Sequence, residues 1–80
     1  MRADEIIDQA DPEAIVWDGF DEAIIGRDNV GRLVYDIDLM VETLTRDDEM
    51  SEEEAMEFLD YNTLNTFVGD LTPIHIYINK

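Results

Sequence analysis

Between Asp47 and Asp60 the chain carries Asp47, Asp48, Glu49, Glu52, Glu53, Glu54, Glu57 and Asp60 without one intervening cation. Like charges at this density repel one another unless water screens them, so whatever forms here must keep one side in solvent. The residues between the acids supply the other side. Ser51 opens a Ser-x-x-Glu pattern: its hydroxyl accepts from the N–H of Glu54, and the Glu54 carboxylate accepts from the N–H of Ser51. This capping box predicts a helix start at Ser51. Glu52, Glu53 and Glu54 then lie in the first turn, at the positive end of the helix dipole, where their charge is best tolerated. Ala55, Phe58, Leu59, Asn62 and Thr66 share one face at helical spacing, whereas Leu64 and Phe67 lie off it, so the helix either bends near Asn62 or ends there. An amide on that stripe needs hydrogen-bond partners, and Asn62 is expected to tie the helix end to the following loop.

The acidic bias runs through the whole chain, where 21 acids against 5 bases give a formal net charge of −16. Phosphate contacts would face a repulsive field, which disfavours direct binding to nucleic acid or to an anionic membrane. A basic protein surface is the electrostatic expectation, although the same charge also serves plain solubility. Hydrophobic residues at 45%, in recurring periods, are too many for a disordered acidic tail. Residues 1–80 are expected to form a single domain with a small core. The chain has no cysteine and hence no disulfide framework. No apolar run approaches the roughly 20 residues that cross a bilayer, and the acidic N-terminus lacks the basic and apolar regions of a signal peptide. A soluble cytoplasmic protein is expected.

In chain order, Ala3, Ile6, Ile7 and Ala10 follow the i, i+3, i+4, i+7 rule, with Asp4, Glu5 and Asp8 opposite, which predicts a short amphipathic helix ended by Asp11-Pro12. Ala14-Ile15-Val16-Trp17 is β-branched and aromatic, and Asp18-Gly19 follows it, the sign of a tight hairpin into a strand through Ala23-Ile24-Ile25. A wider loop over residues 18–22 is the alternative. Asp28-Asn29 and Gly31 mark a second turn before the strand-like Leu33-Val34-Tyr35. Asp36 offers an N-cap for a helix with Ile37, Met40, Val41 and Leu44 on one face and Glu42 and Arg46 at i, i+4 spacing. The short link to the Ser51 helix favours an antiparallel pair. After Gly69 and Pro73, Ile74, Ile76 and Ile78 alternate with His75 and Tyr77, so the isoleucines are expected to face the core and the other two to face outward. The fold class is therefore α+β: a small antiparallel sheet, made of a three-strand meander plus a C-terminal strand, with an N-terminal helix and an antiparallel helix pair packed on one face.

Residues 17–26 (Trp-Asp-Gly-Phe-Asp-Glu-Ala-Ile-Ile-Gly), Val34-Tyr35-Asp36, residues 50–55 (Met-Ser-Glu-Glu-Glu-Ala), Tyr61-Asn62, Val68-Gly69 and Thr72-Pro73-Ile74 together resemble small acidic proteins encoded by tailed bacteriophages. The resemblance covers most of the chain. Its shared segments belong to a fold and not to a reaction, so it implies no activity. It does imply action inside an infected bacterial cell.

Candidate chemistry is thin. Asp36-Ile37-Asp38 is comparable with metal-binding Asp-x-Asp pairs, and the acids from Asp47 onward with calcium loops. Neither 28–39 nor 47–58 supplies the sixth-position glycine and ligand spacing that an EF-hand requires, and Asp36 is expected to cap a helix, so neither a metal nor another cofactor is expected. His75 is the only histidine and Ser51 the only serine, and Ser51 is engaged as a cap, which leaves no nucleophile and base to work together. Paired carboxylates need a cleft for which a chain of this size has little room. The segment from Gly26 to Gly31 lacks the spacing of a dinucleotide loop or a P-loop. An enzyme is not expected. Trp17, Phe20, Tyr35, Tyr61 and Tyr77 are candidate interface anchors, although aromatics of a small domain mostly build its core; Tyr77 is the best exposed candidate.

These observations support a small non-enzymatic binding protein that presents Asp47, Asp48, Glu49, Glu52, Glu53, Glu57 and Asp60 to a basic surface on a host protein. It would act as an inhibitor and, where that surface binds nucleic acid, as a mimic of phosphate charge. The rival is a structural or self-assembling protein that forms a homo-oligomer through its sheet edge or Tyr77. Self-repulsion at −16 makes one prediction independent of either reading. Raising monovalent salt from low to moderate strength should lift the melting temperature by several degrees, because screening relieves the folded state most; a calorimetric salt series measures it.

Overall fold

The computed structural model describes residues 3–78. In chain order it forms helix α1 (Ala3–Gln9), a 3-10 turn (Asp21–Ala23), strands β1 (Ile24–Arg27) and β2 (Leu33–Asp36), helix α2 (Ile37–Asp47), helix α3 (Glu52–Leu59) running on into a π turn (Asp60–Leu64), and strand β3 (Ile74–Ile76). The class is α+β, as the residue pattern predicts.

The helices form where their local signals lie. Ile6 and Ala10 of the first helical segment are buried. The Asp36 carboxylate accepts from the N–H groups of Asp38 (2.9 Å) and Leu39 (3.4 Å) at the start of α2. That helix buries Ile37, Met40 and Leu44, together with Thr43, whose hydroxyl donates to the Leu39 carbonyl. At the start of α3 both halves of the capping box are present, Ser51 N–H to Glu54 Oε1 at 3.0 Å and Glu54 N–H to Ser51 Oγ at 3.1 Å. Beyond Leu59 the chain neither ends nor simply bends, but widens into the π turn. The change of period buries Thr63 in line with Ala55 and Leu59, and leaves Phe58 and Asn62 exposed. Asn62 donates to the Phe58 carbonyl at 3.0 Å, so its amide is structural as expected, but it bonds back into α3 from the outer side and not to the following loop.

The sheet departs from the expected all-antiparallel arrangement. Its order is β1-β2-β3. β1 and β2 form an antiparallel hairpin with Ile24 opposite Tyr35 and a bulge before Gly26, closed by the turn that Asp28 and Gly31 signal. β3 lies parallel to β2, with Tyr35 opposite His75. A parallel pair needs a long crossover, and the segment carrying α2 and α3 is that crossover. The meander loses its first strand, because Ala14–Trp17 is irregular. Partners from distant segments replace the ladder there: the Trp17 N–H donates to Tyr35 Oη at 2.9 Å, and the Ile15 N–H reaches the Leu71 carbonyl at 3.4 Å. Asp18-Gly19 is a turn, but it feeds Phe20 into the core and leads to the 3-10 turn; neither the tight hairpin nor the wider loop is realised as expected, since both kept a strand over Ala14–Trp17.

The alternation expected of β3 is realised only in part: Ile74 is half-buried and Tyr77 is exposed as expected, but Ile76, Ile78 and His75 depart from it. Ile76 and Ile78 are exposed, at 36% and 41%, whereas His75 is half-buried between Trp17 and Tyr35, its ring 6.1 and 6.2 Å from theirs. Two aromatic rings on that side offer the imidazole a polar and apolar seat that the isoleucines do not need. One contiguous core joins Ile6, Phe20, Ile24, Leu33, Tyr35, Met40, Leu44, Ala55 and Leu59, so all three helices and the first two strands contribute to it.

Two left-handed glycines separate strain from crowding. Gly31 has φ of 94°, and a Cβ there would lie 2.8 Å from both the backbone N and the Cβ of Asp11; Gly19 has φ of 86° with open space around it. Gly19→Ala should cost about 1 kcal/mol from conformation alone. Gly31→Ala adds a backbone clash and should cost at least about 2–3 kcal/mol, read as a shift in the denaturant midpoint.

Candidate functional site

Of the seven acids singled out from the sequence, all are exposed, but they do not share one electrostatic state. Asp47 is paired. Arg46 donates from Nε to Asp47 Oδ1 at 2.8 Å and from Nη2 to Oδ2 at 3.1 Å, and its other contacts go to Glu22, at 2.8 and 3.2 Å. The guanidinium hydrogen bonds hold the Asp47 carboxyl below the usual carboxylate range. The expected i, i+4 pair of Arg46 with Glu42 is replaced by this fork, because the 3-10 turn packs against α2 and brings Glu22 within reach. Asp48, Glu49, Glu52, Glu53, Glu57 and Asp60 form no ion pair among the described residues.

The acids are also spread over separate depressions. Asp47 and Asp48 line an open pocket of about 260 Å³ with Asp18, Phe20, Leu44 and Phe58. Glu52 borders a second, of about 240 Å³, with Asp38, Val41 and Glu42. Glu57 lines a third, of about 430 Å³, with Met50, Glu54, Phe58, Tyr61 and Asn62. Glu49 sits in the link between α2 and α3 at φ of 57°, a left-handed conformation uncommon for a residue with a side chain. It allows the Met50 N–H to return to the Leu44 carbonyl at 3.4 Å and so closes α2. Glu54, which is not in the sequence-derived set, belongs to the third depression too. The hydrogen bond from the Ser51 N–H holds its carboxyl below the usual range and fixes its position.

Most residues with chemical potential serve the fold. The Asp36 carboxylate is buried as the α2 cap. Asp28 organises the β1–β2 turn; burial works against its charge, but the N–H of Arg32, the Arg32 guanidinium and the N–H of Val30 prevail and hold it ionised below the ordinary range. Among the described residues no three carboxylate or imidazole side chains converge as they would on a metal ion, and no helix is long and apolar enough to cross a membrane. Of the aromatic candidates, Phe20 and Tyr35 are buried, Tyr77 is exposed with its hydroxyl toward Met56 Sδ, and Tyr61 is the most exposed of all at 89%. Tyr61 was legible as an outward residue, since it lies off the Ala55–Leu59 face. Comparison with protein-family models, with curated proteins and with solved structures finds no match.

His75 makes a contact that responds to pH. Trp17 Nε1 donates to His75 Nε2 at 2.9 Å, which places the proton of the neutral ring on Nδ1. Burial lowers the His75 pKa below its ordinary value. The folded state thus prefers the neutral ring: the associated stability is complete above about pH 6.5, the unfolded value, and is lost as pH falls through the lower folded value. Acidification from pH 7.5 to 5.5 should lower the denaturant midpoint, because the unfolded chain takes up a proton near pH 6.5, and Trp17 emission should change only at the lower pH where the folded ring itself protonates and Nε2 no longer accepts. Carboxylates mostly titrate below this window, so His75→Ala should remove both responses. Trp17 is the sole tryptophan, which makes the fluorescence readout specific.

Proposed function

We propose that this chain is a small non-enzymatic binding protein, encoded by a phage and acting in the host cytoplasm, whose acidic surface on α3 and the link before it engages a basic surface of a host protein and inhibits it. A single observation carries the reading: Asp48, Glu49, Glu52, Glu53, Glu57 and Asp60 are exposed and form no ion pair among the described residues, while Arg32 and Arg46 are engaged by Asp28, Asp47 and Glu22. An unneutralised field of one sign attracts an oppositely charged partner over a Debye length and raises its association rate. Where the partner's surface binds nucleic acid, the carboxylates stand in for phosphates. The competing reading, self-assembly, draws on Ile76, Tyr77 and Ile78, all exposed at or just beyond β3 at the sheet edge.

The inward residues of α3, Ala55 and Leu59, are separate from its acids, so charge can be removed without touching the core. Glu53→Gln with Glu57→Gln and Asp60→Asn should melt at or slightly above the wild-type temperature. Against a basic protein recovered from a host lysate, the same variant should lose about tenfold in on-rate at low salt, and the wild-type complex should weaken steeply as salt rises. Duplex DNA as competitor tests the mimicry. Unchanged binding by the neutralised variant would exclude the acidic surface, and a salt-stable oligomer without such a partner would favour self-assembly.

A further inference from the structure

Aromatic side chains also line the first depression, but its Phe20 is buried and its Asp47 already paired, whereas in the third Tyr61 is exposed and neither Glu54 nor Glu57 is in an ion pair among the described residues. Phe58 and Tyr61 line it, exposed at 37% and 89%, with Met50 and Asn62 beside them and Glu54 and Glu57 in the same wall. At about 430 Å³ it is on the scale of small-ligand clefts, about 300–1,000 Å³. It combines an open aromatic surface with unneutralised negative charge. An apolar occupant would desolvate the carboxylates without replacing their hydration. A second copy of this chain would bring another charge of −16 to the same place.

The groove is also pre-shaped. The capping box holds Glu54, Asn62 ties the π turn to the Phe58 carbonyl, and Tyr61 stands on that turn and not on a loose loop. π turns are frequent where a helix has been re-phased for a site. We infer that this groove seats an arginine side chain of the basic partner, with its guanidinium stacked on Tyr61 and forked toward Glu57 and Glu54; this inference rests on the acidic-surface reading above. Arginine fits where lysine does not. Its planar guanidinium stacks on an aromatic ring and donates in pairs to a carboxylate, whereas an ammonium is a compact, strongly hydrated point charge.

The test titrates the full chain with oligoarginine and oligolysine peptides of equal length, at moderate salt, followed by calorimetry and by backbone amide shifts. The arginine peptide should bind more tightly, with the largest shifts at Met50, Glu54, Phe58, Tyr61 and Asn62. Tyr61→Ala should weaken the arginine peptide about three- to fivefold and the lysine peptide distinctly less, and Tyr61→Phe should retain the wild-type preference. Equal binding of the two peptides, shifts spread evenly over all the acids, or a Tyr61→Ala variant with wild-type preference would overturn the groove. The double variant Glu53→Gln with Asp60→Asn spares the groove lining and tests the wider surface separately. If it weakens both peptides alike while Tyr61→Ala does nothing, the acidic surface stands and the groove fails; if it changes neither peptide, the acidic-surface reading fails.

Discussion

Asp36 is the point at which sheet and helices meet, and most of the architecture depends on it. It is the last residue of β2, its backbone lies opposite Ile76 of β3, and its buried carboxylate caps α2. A buried carboxylate without donors is expensive, but two N–H groups at the positive end of a helix supply the compensation. One residue therefore both ends the central strand and starts the crossover that returns the chain to lie parallel beside that strand. The helices that follow are placed by this junction. The Ser51 capping box then starts α3, so the acidic surface is built on two local hydrogen-bonded starts separated by a short link.

The charge of the molecule is organised more than its composition implies. Arg32 and Arg46 are used inside the fold, one to fasten the β1–β2 turn and the other to fasten the 3-10 turn to the end of α2. The Arg46 pairs are exposed and contribute little stability individually, while the Arg32–Asp28 pair is part-buried; the larger consequence of both is spatial. With these cations held near Asp28, Glu22 and Asp47, the field over α3 stays unneutralised. Within that field, under the binding role proposed above, the groove at Phe58 and Tyr61 would make a contact specific and not merely electrostatic, because stacking and forked hydrogen bonds depend on geometry that screening does not erase.

The β3 edge of the sheet shows how a polar pair can draw one side chain inward. On hydrophobicity alone the isoleucine face of the Ile74–Ile78 segment would have been turned inward. His75 was chosen because Trp17 supplies a donor and a stacked ring, and Tyr35 a second ring. The cost is the exposure of Ile76 and Ile78; the gain is a side-chain tie between the irregular 14–17 segment and the C-terminal strand, which makes that segment part of the domain although it joins no ladder.

By itself the sequence determined the α+β class, the starts of α2 and α3, the first helix, the turn at Asp28 to Gly31, the presence of β3 and the exposure of the acids from Asp47 to Asp60. All of these rest on residues within a few positions of one another: a cap and its amides, a period of 3.6 or 2, a glycine in a tight turn. Tertiary structure alone decided the parallel pairing of β3, the irregular course of Ala14–Trp17, the inward side of His75 and the partner of Arg46. Each of these is settled by a contact between segments far apart in the chain, as between Trp17 and His75, separated by 58 residues. Periodicity marks which residues can share a face, but it carries no information about which distant donor or ring will occupy that face first.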